Sequence, residues 1–210
     1  MRILFLGGTK FLGRHAVDAA LARGHAVTVF TRGRAPNHWG DAVTALAGDR
    51  DPLIPPGLDA LRDGTWDAVI DTSGYVPRVV RASAGMLKDR AAQYLFVSSI
   101  SVYADGGGAG RDESASTATL DDPSTEEVMK HYGPLKAACE DEVRAAFGNS
   151  AIIVRLASLS GRTIRPTVSA IGLRASGIRN CWATGPRRPS CQRRRQRLCS
   201  SSTSATLQTG

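Results

Sequence analysis

The sequence has no long apolar run and few cysteines. Its first apolar stretch, residues 3–6, is far shorter than a signal-peptide core or the roughly 20 residues of a membrane span. We therefore expect no membrane segment and a cytoplasmic protein. The four cysteines lack the spacing of a zinc site and occur in no secreted context, which predicts neither a metal centre nor a disulfide framework. Cys139 is predicted to be a buried helical thiol.

Negative charge is absent from the last 55 residues. Residues 156–210 contain ten arginines but no lysine, aspartate or glutamate, a net charge of +10. Residues 1–155 hold the other 17 basic residues and all 19 acidic ones, a net charge of −2. Apolar residues in the last segment are sparse and aperiodic, so it cannot bury enough surface to offset its ordering entropy. We predict a folded domain over residues 1–155 and a disordered basic tail over residues 156–210.

Glycines occur where the first apolar run ends. Gly7, Gly8 and Gly13 separate this run from a stretch of helical spacing over residues 11–23, and a second apolar run follows over residues 26–30. Small residues let the backbone approach an anion, and a helix N-terminus offers free N–H groups to it. The order predicts a βαβ unit that holds a dinucleotide pyrophosphate, with a nicotinamide cofactor as the first hypothesis. A plain strand–helix connection is the alternative.

The rest of residues 1–155 alternates between strand and helix patterns, which favours a parallel sheet covered on both faces. Strands are predicted over residues 43–47, 66–72, 93–98 and 151–155, and the clearest helices over residues 77–89 and 124–146. We expect the second helix to begin at Ser124 with Glu126 and Glu127 in its first turn, where the helix dipole favours carboxylates. Residues 105–120 are rich in glycine, serine and threonine and are predicted to form a mobile loop.

Two segments contain groups suited to proton transfer. Tyr132 and Lys136 are four residues apart in the predicted helix, so they share one face, and an ammonium there favours the phenolate form of the tyrosine. An exposed helix face is the alternative. Ser99 follows a predicted strand at the carboxyl edge of the sheet, where ligands bind in open α/β folds, and its hydroxyl can polarise a carbonyl.

The glycine turn, the Ser-Ser-Ile-Ser-Val-Tyr segment after a strand and Tyr-x-x-x-Lys together resemble the extended short-chain dehydrogenase/reductase group. Within that group the sequence is most similar to the NAD(P)-dependent epimerase/dehydratase family, over residues 1–155. The resemblance implies an α/β fold, a Rossmann-like doubly wound parallel sheet that lacks most of the C-terminal substrate-binding region. It implies that Tyr132 is the catalytic acid/base, that Lys136 binds the nicotinamide ribose and that Ser99 holds the substrate oxygen. Ser98 and Ser101 are expected to support the strand end.

The resemblance also implies a cofactor site at the strand ends, and a small-molecule substrate such as a nucleotide sugar or related carbonyl or hydroxyl compound. The residues implied for the NAD(P) site are Gly7, Gly8, Thr9, Lys10, Phe11, Leu12, Gly13, Arg32, Asp49, Arg50, Thr72, Ser73 and Gly74. Lys10 replaces the family's middle glycine. Thr31-Arg32-Gly33-Arg34 replaces the carboxylate that an NAD site uses on the ribose, which favours NADP. The alternative for Arg32 is a solvated turn arginine.

Residues 156–210 also resemble an out-of-frame translation. Suppose that one base is missing after the Arg155 codon. With suitable synonymous codons, residues 156–176 then read PGLIVGTHDPSDRFRYWPARI in the restored frame, and residues 198–209 read PVQFIDVRDLAD. Both strings are similar to later segments of the family. A GC-rich gene read out of register would also lose its acidic residues and lysines. We predict a frameshift after Arg155 and impaired activity.

Two other functions stay open at this point. Relatives with this glycine turn include RNA-associated proteins, and the basic tail would attract nucleic acid non-specifically. A cofactor-binding regulator without turnover is the other possibility. The oligomeric state is left open.

Overall fold

The computed structural model describes residues 1–34, 36–105 and 112–157. The six strands of these residues form one sheet in the order β3-β2-β1-β4-β5-β6, and every neighbouring pair is parallel. This confirms the Rossmann-like doubly wound sheet. The strands are β1 Arg2–Leu6, β2 Ala26–Thr31, β3 Val43–Ala47, β4 Trp66–Asp71, β5 Ala91–Ser99 and β6 Ala151–Leu156. The predictions for residues 156–210 lie outside the described residues except at positions 156 and 157.

Three α-helices and four short 3-10 turns complete the described fold. The helices are α1 Phe11–Ala22, α2 Pro77–Leu87 and α3 Val128–Phe147, and the turns are Gly40–Ala42, Asp59–Leu61, Ile100–Val102 and Gly148–Ser150. None of the helices in the described residues is long and apolar enough to cross a membrane.

Helices cover both faces of the sheet because the central strand is apolar on both. Ile3 and Phe5 of β1 pack with Val17 of α1, whereas Leu4 and Leu6 belong to a second core with residues of α2 and α3. A strand buried on both faces has a continuous apolar run instead of an alternating one, as residues 3–6 do. The two cores fix the helices on opposite sides of the sheet.

Helix α3 begins at Val128, so the predicted start at Ser124 is wrong. Asp122 forms a local turn in which its carboxylate accepts from the backbone N–H and the hydroxyl of Ser124, at 2.8 and 2.7 Å. Glu126 lies before the helix and pairs with Arg78 at 2.7 Å, and Glu127 is the N-cap residue. Glu126 is therefore explained by its pair with Arg78 and not by a position in the first helical turn.

The same helix is kinked at His131, which has φ −121° and ψ 32°. Pro134 lies three residues further on inside the helix. A proline removes one helical hydrogen bond, and its ring clashes with the carbonyl group four residues before it. The proline therefore accounts for the kink, which comes immediately before Tyr132.

The segment predicted as a mobile loop, residues 105–120, is a loop in its described part, and its second half makes backbone bonds to the chain after β5. Tyr103 and Thr117 form an antiparallel bridge. Ala104 N–H donates to Ser116 O at 3.0 Å, and Ala118 N–H donates to Val102 O at 2.8 Å. These bonds attach the segment to the chain that follows β5. Residues 106–111 lie outside the described residues.

Two helical glycines give a matched test of packing in this fold. A Cβ on Gly13 of α1 would lie 2.6 Å from Gly8 Cα, whereas one on Gly85 of α2 would meet nothing within 4 Å. We expect Gly13→Ala to destabilise the protein by about 1–3 kcal/mol through overpacking. Gly85→Ala should stabilise it by about 0.5–1 kcal/mol, because alanine loses less entropy in a helix. Urea unfolding measures both, and equal effects of the two substitutions would contradict the role of Gly13.

Candidate functional site

The predicted cofactor residues lie at one edge of the sheet. They follow β1, β2, β3 and β4, and Ser99 ends β5. The carboxyl ends of parallel strands share one edge, so the topology places all these segments there. Strand order reverses beside β1, between β1 and β4, and open α/β sheets bind ligands at this point.

The glycine turn has the backbone that a close approach to an anion requires. Gly7 and Gly8 both have φ +93°, a conformation that favours glycine. The close contact between Gly8 and Gly13 brings the start of α1 against the turn. Lys10 is the N-cap residue of α1, and its side chain makes no capping hydrogen bond. The first amides of α1 are therefore available to a bound anion.

The turn after β4 braces the glycine turn. Thr72 Oγ1 accepts from Gly8 N–H and donates to Leu6 O, both at 3.2 Å, and Ser73 Oγ donates to Leu6 O at 3.1 Å. Gly74 O accepts from the side chain of Lys136. The hydroxyl groups of Thr72 and Ser73 thus support the backbone around the site.

Arg50 and Asp49, which were predicted together, make different contacts. The Arg50 guanidinium is paired with the buried carboxylate of Asp71 at 2.7 and 2.8 Å, and it also donates to Ser83 Oγ. The carboxylate of Asp49 accepts from Asp51 N–H at 3.0 Å. Arg50 therefore joins the chain after β3 to β4 and α2 inside the protein. Asp49 makes no such buried ion pair among the described residues.

Asp71 is a residue that the sequence reasoning missed. It is completely buried at the end of β4 and also accepts from Tyr94 Oη at 2.8 Å. Burial raises the pKa of Tyr94 well above its ordinary value, so this phenol stays a hydrogen-bond donor. A carboxylate at the end of an otherwise apolar strand was the available signal.

Arg32 is exposed immediately after β2, and no carboxylate follows it in the next described residues, 33–34. The Thr31 hydroxyl accepts from Gly33 N–H at 3.2 Å, which shapes the turn. An exposed cation thus follows β2 at the same edge of the sheet as the glycine turn.

Helix α3 approaches the end of β5 closely at Gly133. A Cβ at this position would overlap the carbonyl oxygen of Ser101. Ser101 N–H donates to Ser99 Oγ at 3.2 Å, and the two hydroxyl oxygens are 3.1 Å apart. Tyr132, next to Gly133, is thereby held near the segment that contains Ser99. Gly133 was also missed, although a glycine inside a predicted helix indicates a packing reason.

Lys136 is buried with 3% of its surface exposed. Its ammonium donates to Gly74 O at 2.8 Å and to Val97 O at 2.6 Å, and lies 3.9 Å from the ring centroid of Phe96. Burial lowers the pKa of Lys136 from 10.5 to about 8. An ammonium has three donors, and these bonds use two, so one remains for a ligand.

Tyr132 is 37% exposed, with its ring centroid 6.4 Å from that of Tyr75. The structure thus brings Tyr132, Lys136 and Ser99 onto adjacent elements. Tyr132 contacts the ring of Tyr75, and Lys136 donates to Val97 O in β5. Ser99 accepts from Ser101 N–H, and Ser101 meets Gly133 beside Tyr132.

Glu140 is a buried carboxylate one turn after Lys136, and the sequence reasoning missed it. It accepts from Ser98 Oγ at 2.6 Å, from Arg155 at 2.7 and 3.0 Å and from Arg144 at 2.9 Å. Burial opposes its ionisation, but the bonds from Arg155 and Ser98 outweigh burial and hold the pKa of Glu140 below its usual value. These bonds fasten α3 to β5 and β6.

Cys139 is completely buried in α3, which confirms the prediction of a buried thiol. Burial raises its pKa to about 12, and a protonated buried thiol is inert. Among the described residues no three His, Cys, Asp or Glu side chains are grouped as metal ligands.

No protein-family model matches the sequence, and no curated protein matches it. Solved structures do match. One is a UDP-galactose 4-epimerase, at 19% identity and TM-score 0.57, with 74% of this chain and 55% of that chain covered. Another is UDP-glucuronic acid 4-epimerase from Bacillus cereus in complex with NAD, at 18% identity and TM-score 0.58, with 77% and 57% covered. Vestitone reductase from alfalfa, Medicago sativa, matches at 16% identity and TM-score 0.54, with 74% and 56% covered.

These likenesses show a shared fold. The chain spans little more than half the length of each of the three proteins, 55%, 57% and 56%.

The bonds of Glu140 can be tested against an exposed glutamate of the same region. Glu140→Gln leaves the guanidinium of Arg155, which is only 11% exposed, without its carboxylate. Breaking a buried ion pair in this way costs about 3–5 kcal/mol. Glu127→Gln removes an exposed pair with Lys130 and should change the free energy of unfolding very little. Urea unfolding checks both, and a similar small effect of the two changes would exclude Glu140 as the anchor of α3.

Proposed function

We propose that the chain belongs to the NAD(P)-dependent epimerase/dehydratase family and acts on a nucleotide sugar or a related carbonyl or hydroxyl compound. The observation that carries this proposal is the buried ammonium of Lys136. It is held by carbonyl groups from the ends of β4 and β5, one helical turn from Tyr132. A buried, preorganised cation beside a phenol is an arrangement suited to proton transfer.

The residues at the first turn fit a dinucleotide. Gly7, Gly8 and Gly13 leave a backbone cradle, and α1 begins there without a side-chain cap. The matching Bacillus cereus epimerase is a complex with NAD, which is consistent with a nicotinamide cofactor here. We infer a preference for NADP from Arg32, because a cation suits a 2′-phosphate better than a 2′-hydroxyl.

The chain's own residues have separate tasks in this proposal. Lys136 uses its third N–H on a ribose hydroxyl. Tyr132 takes the proton from a substrate hydroxyl or returns one to a carbonyl, and Ser99 holds the same oxygen. When bound, the nicotinamide supplies the hydride acceptor or donor.

The ammonium of Lys136 can be tested with a lysine of the same helix as its control. We expect Lys136→Met to weaken NADPH binding by more than tenfold, measured by nicotinamide fluorescence, because the ribose loses its partner. Lys130 pairs with Glu127 on the exposed surface, so Lys130→Met should leave the affinity within about twofold. Parallel titrations with NADH test the NADP preference. No binding of either dinucleotide by the unaltered chain would refute the proposed function.

The pH dependence of the same titration follows from the lowered pKa of Lys136. The ammonium is present below about pH 8 and is lost above it, so affinity should fall between pH 7 and 9. The affinity of the Lys136→Met variant for NADPH should change little over this pH range. Between about pH 8 and 10.5 only the unfolded state keeps this proton, so its contribution to the free energy of unfolding rises with pH.

We also propose that the reading frame changes after Arg155. The charge contrast between residues 1–155 and 156–210 supports this, as do the two concealed strings. Resequencing the gene across the Arg155 codon tests it. We expect one extra base there, which would restore PGLIVGTHD after Arg155. The same sequence as now, read from an independently prepared DNA template, would overturn the proposal. Activity of the chain with its present residues 156–210 is expected to be impaired.

A further inference from the structure

Tyr75 contacts both groups that the proposed function places at the reaction centre. It follows Gly74 directly at the end of β4. Its ring centroid lies 5.4 Å from Lys136 Nζ and 6.4 Å from the ring centroid of Tyr132. One loop side chain therefore lies beside both the ammonium of Lys136 and the ring of Tyr132.

The ammonium of Lys136 is enclosed by two rings as well as two carbonyl oxygens. Phe96 is completely buried and meets the ammonium from the core. Tyr75 is 44% exposed and meets it from the side that solvent reaches. Tyr75 is therefore the more exposed of the two rings beside the ammonium.

The ring and the hydroxyl group of Tyr75 can be separated chemically. The face of an aromatic ring attracts a cation whether or not the ring has a hydroxyl group. Burial raises the pKa of Tyr75, so its phenol is neutral at working pH and places no negative charge beside Tyr132. The contribution expected of this side chain is therefore that of an uncharged ring.

Resting on the function proposed above, we propose that Tyr75 is a positioning residue of the site. Its ring, in contact with Lys136 and Tyr132, fixes the ammonium and the phenol relative to each other and limits the access of water to the ammonium. The residue itself transfers no proton.

Two substitutions test this in the full chain. Tyr75→Phe keeps the ring and removes the hydroxyl group, whereas Tyr75→Leu removes the ring. Because the side chain is 44% exposed, both variants should fold, and thermal melting checks that they do.

The first measurement is independent of any ligand. The chain contains four lysines, so labelling lysine at Cε with carbon-13 gives four NMR signals, and Lys136→Met identifies the signal of Lys136. We expect an upfield ring-current shift for Lys136 in the unaltered chain and in Tyr75→Phe. In Tyr75→Leu the signal should move part of the way toward the signals of the other three lysines, because the ring of Phe96 still lies 3.9 Å from the ammonium. The titration midpoint of Lys136 should also change in Tyr75→Leu but not in Tyr75→Phe, because only the first substitution removes the ring beside the ammonium.

The second measurement is NADPH affinity. Tyr75→Leu should weaken binding by about three- to fivefold, the equivalent of one cation–π contact at a partly exposed site, and Tyr75→Phe should leave it nearly unchanged. An unchanged Lys136 signal in Tyr75→Leu overturns the proposal, as does equal behaviour of the Phe and Leu variants. If the unaltered chain binds no dinucleotide, the proposed function fails, while the lysine signals still decide whether the ring holds the ammonium.

Discussion

The attachment of α3 to the end of β5 is the constraint on which the site depends. Three residues of one helix face meet successive parts of the strand end. Gly133 meets the backbone of Ser101, Lys136 donates to Val97 O and Glu140 accepts from Ser98. Their spacing of three and seven residues is that of one face of a helix. Because a cation and a carboxylate are buried one turn apart, the interface contains a charged group of each sign.

A second buried network fixes the other side of the site. Asp71 receives bonds from Arg50, Tyr94 and Ser73, and so ties the chain after β3 to β4 and β5. Removing one partner of such a network leaves an uncompensated charge, whereas the complete network is close to neutral in stability. The network fixes the turn of Thr72 and Ser73, because the Asp71 carboxylate accepts from Ser73 N–H. This turn supports the glycine turn.

Local patterns were sufficient to predict much of the fold. The strand at residues 43–47 has the predicted bounds, and the glycine turn joins β1 and α1 as expected. The start of α3 was wrong because Asp122 and Glu126 make side-chain bonds that compete with helix formation, and Arg78 lies 48 residues from Glu126. Asp71, Gly133 and Glu140 were missed for a related reason. Each contacts a residue far away in the sequence, so the local pattern can mark a carboxylate or a glycine as unusual but does not show which residue it contacts.

The bonds around Glu140 are completed by a residue of β6, the last of the described strands. Ser98 and Arg144 precede Arg155 in the chain, but Arg155 is the largely buried guanidinium that meets both oxygens of Glu140. Until the ribosome has added this strand, the described partners of the Glu140 carboxylate are one hydroxyl group and the half-exposed Arg144. The complete set of described bonds around Glu140 can therefore form only after the sixth strand has emerged.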